Sequence, residues 1–115
     1  MSYDMMVCVK VEGCDKYAVV GVPEYDDPTY NLRDMFVACM DWNYRQGKYY
    51  EAGFALKIIR HGISELSEHP ERYERFNPAN GWGSIESAIT ALESARRCIH
   101  ECAEEYPLDC LYFRW

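Results

Sequence analysis

Met5, Val7, Val9 and Val11 alternate with Met6, Cys8 and Lys10 along residues 4–12. That period of two predicts a half-buried β-strand. Glu12-Gly13-Cys14-Asp15 reads as a turn, and residues 16–22, rich in Tyr17, Val19, Val20 and Val22, read as a second strand. The two predict a hairpin. Pro23 and Glu24-Tyr25-Asp26-Asp27-Pro28 end it. The pattern then changes period. Over residues 32–46, Leu32, Met35, Phe36, Cys39 and Trp42 share one helical face, while Val37, Met40 and Tyr44 form a second apolar stripe on nearly the opposite side. A helix apolar on two sides is either sandwiched in the fold or carries an interaction surface. Thr29 or Asn31 suits its N-cap, and Gly47 suits its end.

Residues 50–68 carry one continuous apolar face: Ala52, Ala55, Leu56, Ile59, Gly62, Ile63 and Leu66. Phe54 falls out of pattern, on the polar side with Lys57, Arg60 and Ser64. His69-Pro70 breaks this helix. A third helix is predicted over residues 85–105 from Ile85, Ala88, Ile89, Leu92, Ala95, Ile99 and Cys102, with Ser84 as its N-cap and Glu93, Arg97 and Glu101 as an outer ion-pair ladder. Residues 108–115 alternate again, with Leu111, Phe113 and Trp115 against Cys110, Tyr112 and Arg114. The expected fold is a single α+β domain spanning residues 1–115, a three-stranded antiparallel sheet of the N-terminal hairpin and the C-terminal strand packed on three helices, in the order β-β-α-α-α-β.

Charge narrows the function classes. A formal net charge of -7 argues against general nucleic-acid binding, which needs a basic footprint. No apolar run approaches the ~20 residues of a membrane span, and Met1-Ser2-Tyr3-Asp4 does not start as an export signal does, so a cytoplasmic protein is expected. Six cysteines then read as reduced structural thiols. Ten tyrosines exceed what a small core hides, so several must reach the surface.

Candidate chemistry is thin. Cys98 and Cys102 lie four apart with His100 between them, but the close C-x-x-C pair of a structural zinc site is missing. Both cysteines flank the apolar stripe, and no metal or cofactor is expected. His61 and Glu65 read as a surface pair. No nucleophile-elbow or Walker pattern occurs. Asn77-Pro78-Ala79-Asn80-Gly81-Trp82-Gly83-Ser84 is a shaped turn before the third helix, in which Gly81 or Gly83 is expected at positive φ and Trp82 is expected to anchor the helix start against the region of Tyr30 and Arg33.

Three segments carry a resemblance: Thr29-Tyr30-Asn31-Leu32-Arg33-Asp34-Met35, His69-Pro70-Glu71-Arg72-Tyr73, and Asn77-Pro78-Ala79-Asn80-Gly81-Trp82-Gly83. Together they resemble a family of small proteins encoded by bacteriophages and prophages, over roughly residues 29–99. The resemblance implies a phage or mobile-element origin and brings no catalytic residues. The leading expectation is a non-enzymatic accessory protein that binds a host protein, extending to inhibition of host antiviral defence. The alternative is a binder of a small nucleotide signal, with Tyr30, Asn31, Arg33, Asn80 and Trp82 as its binding residues. A small enzyme is the third reading. Val37, Met40 and Tyr44 are expected either under another helix or in a homodimer interface.

Overall fold

A computed structural model describes residues 5–25, 32–43, 45, 47–78 and 83–115. The two alternating segments form β1 (Met6–Lys10) and β2 (Tyr17–Gly21), paired antiparallel. The turn between them places Gly13 at a φ of 82°, a conformation glycine adopts without a Cβ penalty. Then follow α1 (Arg33–Met40), β3 (Tyr49–Glu51), α2 (Ala52–Glu68), α3 (Ile85–Cys102) and β4 (Leu111–Arg114). All strand pairs are antiparallel, in the sheet order β2-β1-β4-β3.

The α+β class and the pairing of the C-terminal strand with the hairpin are as the sequence predicts. The strand count is not. The sheet has four strands, and the order is β-β-α-β-α-α-β. Tyr49, Tyr50 and Glu51, assigned by periodicity mainly to the second helix, are a strand on the far side of β4. Three residues are too few to display a period of two, and no glycine or proline separates them from α2.

The first helix is also shorter than its pattern. It ends at Met40, with Asp41 in the left-handed region at φ 52°. Asp41 N–H donates to Ala38 O at 3.4 Å and Trp42 N–H to Val37 O at 3.3 Å. This reciprocal pair closes a helix over one left-handed residue. Aspartate tolerates that conformation better than most side chains. Gly47, at φ 81°, serves the loop into β3 rather than the helix end. At the other end the N-cap position falls on buried Leu32, without a side-chain cap. Thr29, Asn31 and Tyr44 lie outside the described residues.

The helices bury their apolar faces against one side of the sheet. Leu32, Met35, Phe36 and Cys39 of the first segment meet Ile59 and Leu66 of α2, Leu92 and Ile99 of α3, and Phe113 and Trp115 of the last strand in one cluster. Met40, on the second stripe, is buried too. It lies beside Gly62 of α2, so the chain itself covers it and it offers nothing to a second subunit. Val37 is half-buried against the same core. Ser84 caps α3 as expected: Ser87 N–H donates to Ser84 Oγ at 3.1 Å, and Ser84 N–H to Ser87 Oγ at 2.7 Å. That is a capping box with serine in the glutamate place.

Gly62 of α2 is met by side chains from both other helices. A Cβ there would sit 2.7 Å from Met40 Cγ, 3.1 Å from Leu92 Cδ1 and 3.2 Å from Cys39 Sγ. Gly62→Ala is therefore expected to destabilise by about 1–3 kcal/mol through overpacking, in spite of alanine's better helix propensity. Gly53, on the same helix, is a control: its Cβ would meet Leu108 Cδ2 at an ordinary 3.8 Å. Gly53→Ala should be neutral or stabilise by up to about 1 kcal/mol. Denaturant unfolding of both variants checks the opposite signs.

Candidate functional site

Three large apolar side chains out of the core come together at the start of α2. Trp42 leaves the end of α1 beyond the Asp41 reversal, so its indole is not on the buried helical face. It packs edge-on against Phe54 of α2, with ring centroids 4.9 Å apart and planes at 73°. Phe54 occupies the polar side of its helix, as its spacing predicts. Trp42 remains 39% exposed, Phe54 37% and Leu108 41%. Two rings that touch each other and yet leave over a third of each in water do not complete a core. Leu108, in the 3₁₀ turn before β4, lies over Gly53, the residue preceding Phe54.

At Gly53, the residue before Phe54, is an open groove of about 500 Å³ lined by Glu51, Gly53, Leu108 and Asp109. Glu51 and Asp109 put two carboxylates on it, and exposed Asp41 adjoins Trp42 in sequence. Lys57 lies one turn beyond Phe54, and Arg33 reaches Asn43, the residue after Trp42. The groove itself is acidic and starts at the residue before Phe54.

The residues singled out from the motifs do not assemble into a described site. Tyr30, Asn31, Asn80 and Trp82 lie outside the described residues. Arg33, half-buried at the start of α1, donates from Nη2 to Asn43 Oδ1 at 3.1 Å. Gly83 has a φ of 113°, which fulfils the expectation of a positive-φ glycine in that turn.

The His69–Tyr73 segment has a structural job. Pro70–Arg72 and Glu74–Phe76 form two 3₁₀ turns that fold back along the end of α2. Tyr73 is buried and its hydroxyl donates to Glu65 Oε1 at 2.6 Å, while Arg72 Nη1 lies 3.6 Å from the same oxygen. Glu65 therefore serves this clasp rather than pairing only with His61. Arg97, likewise, lies 3.6 Å from Glu24 across the fold, where a ladder along α3 was expected. His100 is exposed and hydrogen-bonded to Arg60 at 3.0 Å.

All six cysteines are free thiols. Cys98 and Cys102 are buried and aim at Gly21, where a Cβ would sit 3.0 Å and 2.5 Å from their sulfurs. Burial pushes Cys98 up to about 12, away from the low values reactive thiols show. Among the described residues, no three His, Cys, Asp or Glu side chains are grouped to hold a metal ion, and no helix is long and apolar enough to cross a membrane. No family model, curated protein or solved structure matches the chain.

The clasp has a pH signature. The Tyr73 hydroxyl, first, and then the charges of His69 and Arg72 hold the Glu65 carboxyl below its usual 4.5. A carboxyl held low in the fold stabilises it above the unfolded value, and that stabilisation is lost as pH falls through the folded value. Burial and the Glu65 carboxylate push the Tyr73 phenol from 10.0 up to about 12. Its contribution is complete below 10 and is lost as pH rises through about 12. Tyr73→Phe should therefore be less stable than the parent at neutral pH, and the gap should narrow on acidification to about pH 3, below the carboxylate range. Denaturant curves across pH check this; a gap independent of pH would mean that the hydroxyl acts without the carboxylate.

Proposed function

We propose that this chain is a non-enzymatic binding protein that seats a basic segment of another protein on the Trp42–Phe54 surface. The observation that carries the reading is the edge-packed pair itself: two large aromatic residues, each more than a third exposed, with Asp41 preceding Trp42 and an acidic groove of Glu51, Gly53, Leu108 and Asp109 that starts at the residue before Phe54. Rigid aromatics with one face free supply most of the energy in protein interfaces. The acidic margin selects the partner, because complementary charge speeds encounter and excludes like-charged surfaces. A lysine- or arginine-bearing segment meets both demands, its cation over a ring face or against Glu51 and Asp109.

Taken with the phage-type motifs, this reading makes the partner a protein of the bacterial host, and the biological effect an inhibition of host antiviral defence. The net charge of -7 supports the same choice of a basic partner.

A photo-crosslinking residue in place of Phe54, incorporated in cells of the bacterial host, would capture the partner in contact. Against the purified partner, Trp42→Ala should weaken binding by about 2 kcal/mol or more, roughly thirtyfold. Folding stability should stay within about 1 kcal/mol, since the lost contact is a single exposed aromatic pair. Binding should also fall as salt rises. Unchanged affinity in both Trp42→Ala and Phe54→Ser would place the interface elsewhere.

A further inference from the structure

The helices cover one side of the sheet, and the other side is a tyrosine surface. Register and alternation put Met6, Cys8 and Lys10 of β1, Tyr17 and Val19 of β2, Tyr49 and Glu51 of β3, and Tyr112 and Arg114 of β4 on that outward side. Tyr17 opens β2 and Tyr49 opens β3, and these are the two edge strands of the sheet. Their rings nevertheless meet. Sheet twist brings diagonal corners together on one face, and here the ring centroids lie 3.8 Å apart with planes only 4° from parallel. Tyr112 sets its edge against Tyr17 at 5.3 Å.

Among the described residues no other ring pair is stacked parallel, and Tyr73–Phe76 is tilted at 30°. Trp42–Phe54, Tyr50–Trp115 and Phe113–Trp115 all meet edge-on, at 73°, 78° and 83°. The stack covers one face of each ring with the other. An electron-poor heterocycle stacks on a tyrosine face more favourably than a second electron-rich ring does. We propose that Tyr17 and Tyr49 are the two jaws of a site for a planar nucleobase, and that the ligand is a single nucleotide whose phosphate meets Arg114.

The surroundings fit such a ligand. The Arg114 guanidinium lies 5.9 Å from the Tyr49 ring centre. It is fixed by Nε donating to Gly47 O at 3.3 Å and by an Nη1 contact of 3.7 Å to Met6 Sδ. Lys10 is in register with Tyr17, with Asp15 3.7 Å from its ammonium, while Lys48 reaches over Tyr50 on the other side of the sheet. Glu51 is the acidic residue among the outward strand positions, in register with Tyr112, two residues along β3 from the Tyr49–Arg114 pair. Neither Tyr17 nor Tyr49 spends its hydroxyl on a partner among the described residues. Each jaw can therefore swing by side-chain rotation, with no strand ladder to break. The few cations suit one or two phosphates. A polymer would need a long basic track, which a chain of net charge -7 does not provide. This site is separate from the Trp42–Phe54 surface and does not rest on it.

The test is fluorine NMR of protein carrying 3-fluorotyrosine, with Tyr17→Phe and Tyr49→Phe assigning the two signals. AMP, GMP, CMP and UMP are titrated in turn, then adenosine and single-stranded oligothymidylate. The expected result is a saturable shift of both signals with at least one monophosphate. Tyr49→Ala should weaken that binding roughly tenfold. Arg114→Gln should weaken the monophosphate roughly tenfold and leave adenosine unchanged. If Arg114→Gln melts early, Lys10→Gln gives the same comparison on an exposed side chain in register with Tyr17. The proposal is overturned if no monophosphate moves either signal, if the cation variants weaken adenosine as much as the monophosphate, or if oligothymidylate binds far more tightly than any monophosphate.

Discussion

β4 lies between β1 and β3 and hydrogen-bonds to both. Residues 111–114 thereby meet residues 6–9 on one side and 49–51 on the other. The hairpin of β1 and β2 would be marginal alone. With β4 in place it becomes part of a four-stranded sheet, and Phe113 and Trp115 are carried into the core. Closing so long a loop costs only slightly more entropy than closing a short one, because the penalty grows with the logarithm of length. The same strand positions both surface features. Gly47 N–H donates to Trp115 O at 3.0 Å and accepts from Arg114 through its carbonyl, which pins the loop beyond α1. Leu108, three residues before β4, is set over Gly53 and beside Phe54.

How much of this was legible depended on element length. α2 and α3 repeat their apolar positions over several turns, and their faces stand where periodicity places them. Ser84 announces its helix by its own chemistry. β3 could not be seen, because its three residues run without a break into Ala52. Asp41 could not be seen either. A glycine is the usual sign of a helix end, and the glycine at 47 drew the boundary past the true one. Trp42 was misplaced with it: counted as helical it falls on the buried face, whereas after the reversal at Asp41 it stands at the surface.

The surface of Trp42, Phe54 and Leu108 was hidden for a different reason. Its members lie far apart in sequence and share no motif. The one sign was Phe54, an aromatic on the wrong side of an otherwise regular amphipathic helix. Such a residue is either a cost or a contact. The motifs that drew notice served the fold: the His69–Tyr73 segment clasps Glu65, and Gly83 gives the turn its positive φ. A motif can recur because a chain reversal is hard to build, without any ligand being involved. The tyrosine surface was foreshadowed only by composition, as more tyrosines than a core of this size can hide. The pairing that stacks Tyr17 on Tyr49 depends on sheet order, which alternation alone does not give.

Net charge and local charge answer different questions here. At physiological ionic strength a charge is screened within about 8 Å, so a bound group responds to its immediate neighbours and not to the sum over the chain. The overall value of -7 governs solubility and keeps polyanions from accumulating along the protein. It does not by itself forbid a small anion beside Arg114, whose guanidinium is held against Gly47 and Met6. Nor does it by itself carry the proposal of a basic partner at Trp42 and Phe54, which rests on Asp41, Glu51 and Asp109 instead. Glu51 is common to both settings, lining the groove and facing outward from β3. Its register is with Tyr112, two residues along β3 from Tyr49, which is in register with Arg114. A strand that short puts acidic and basic side chains within one screening length, so any bound group there answers to both.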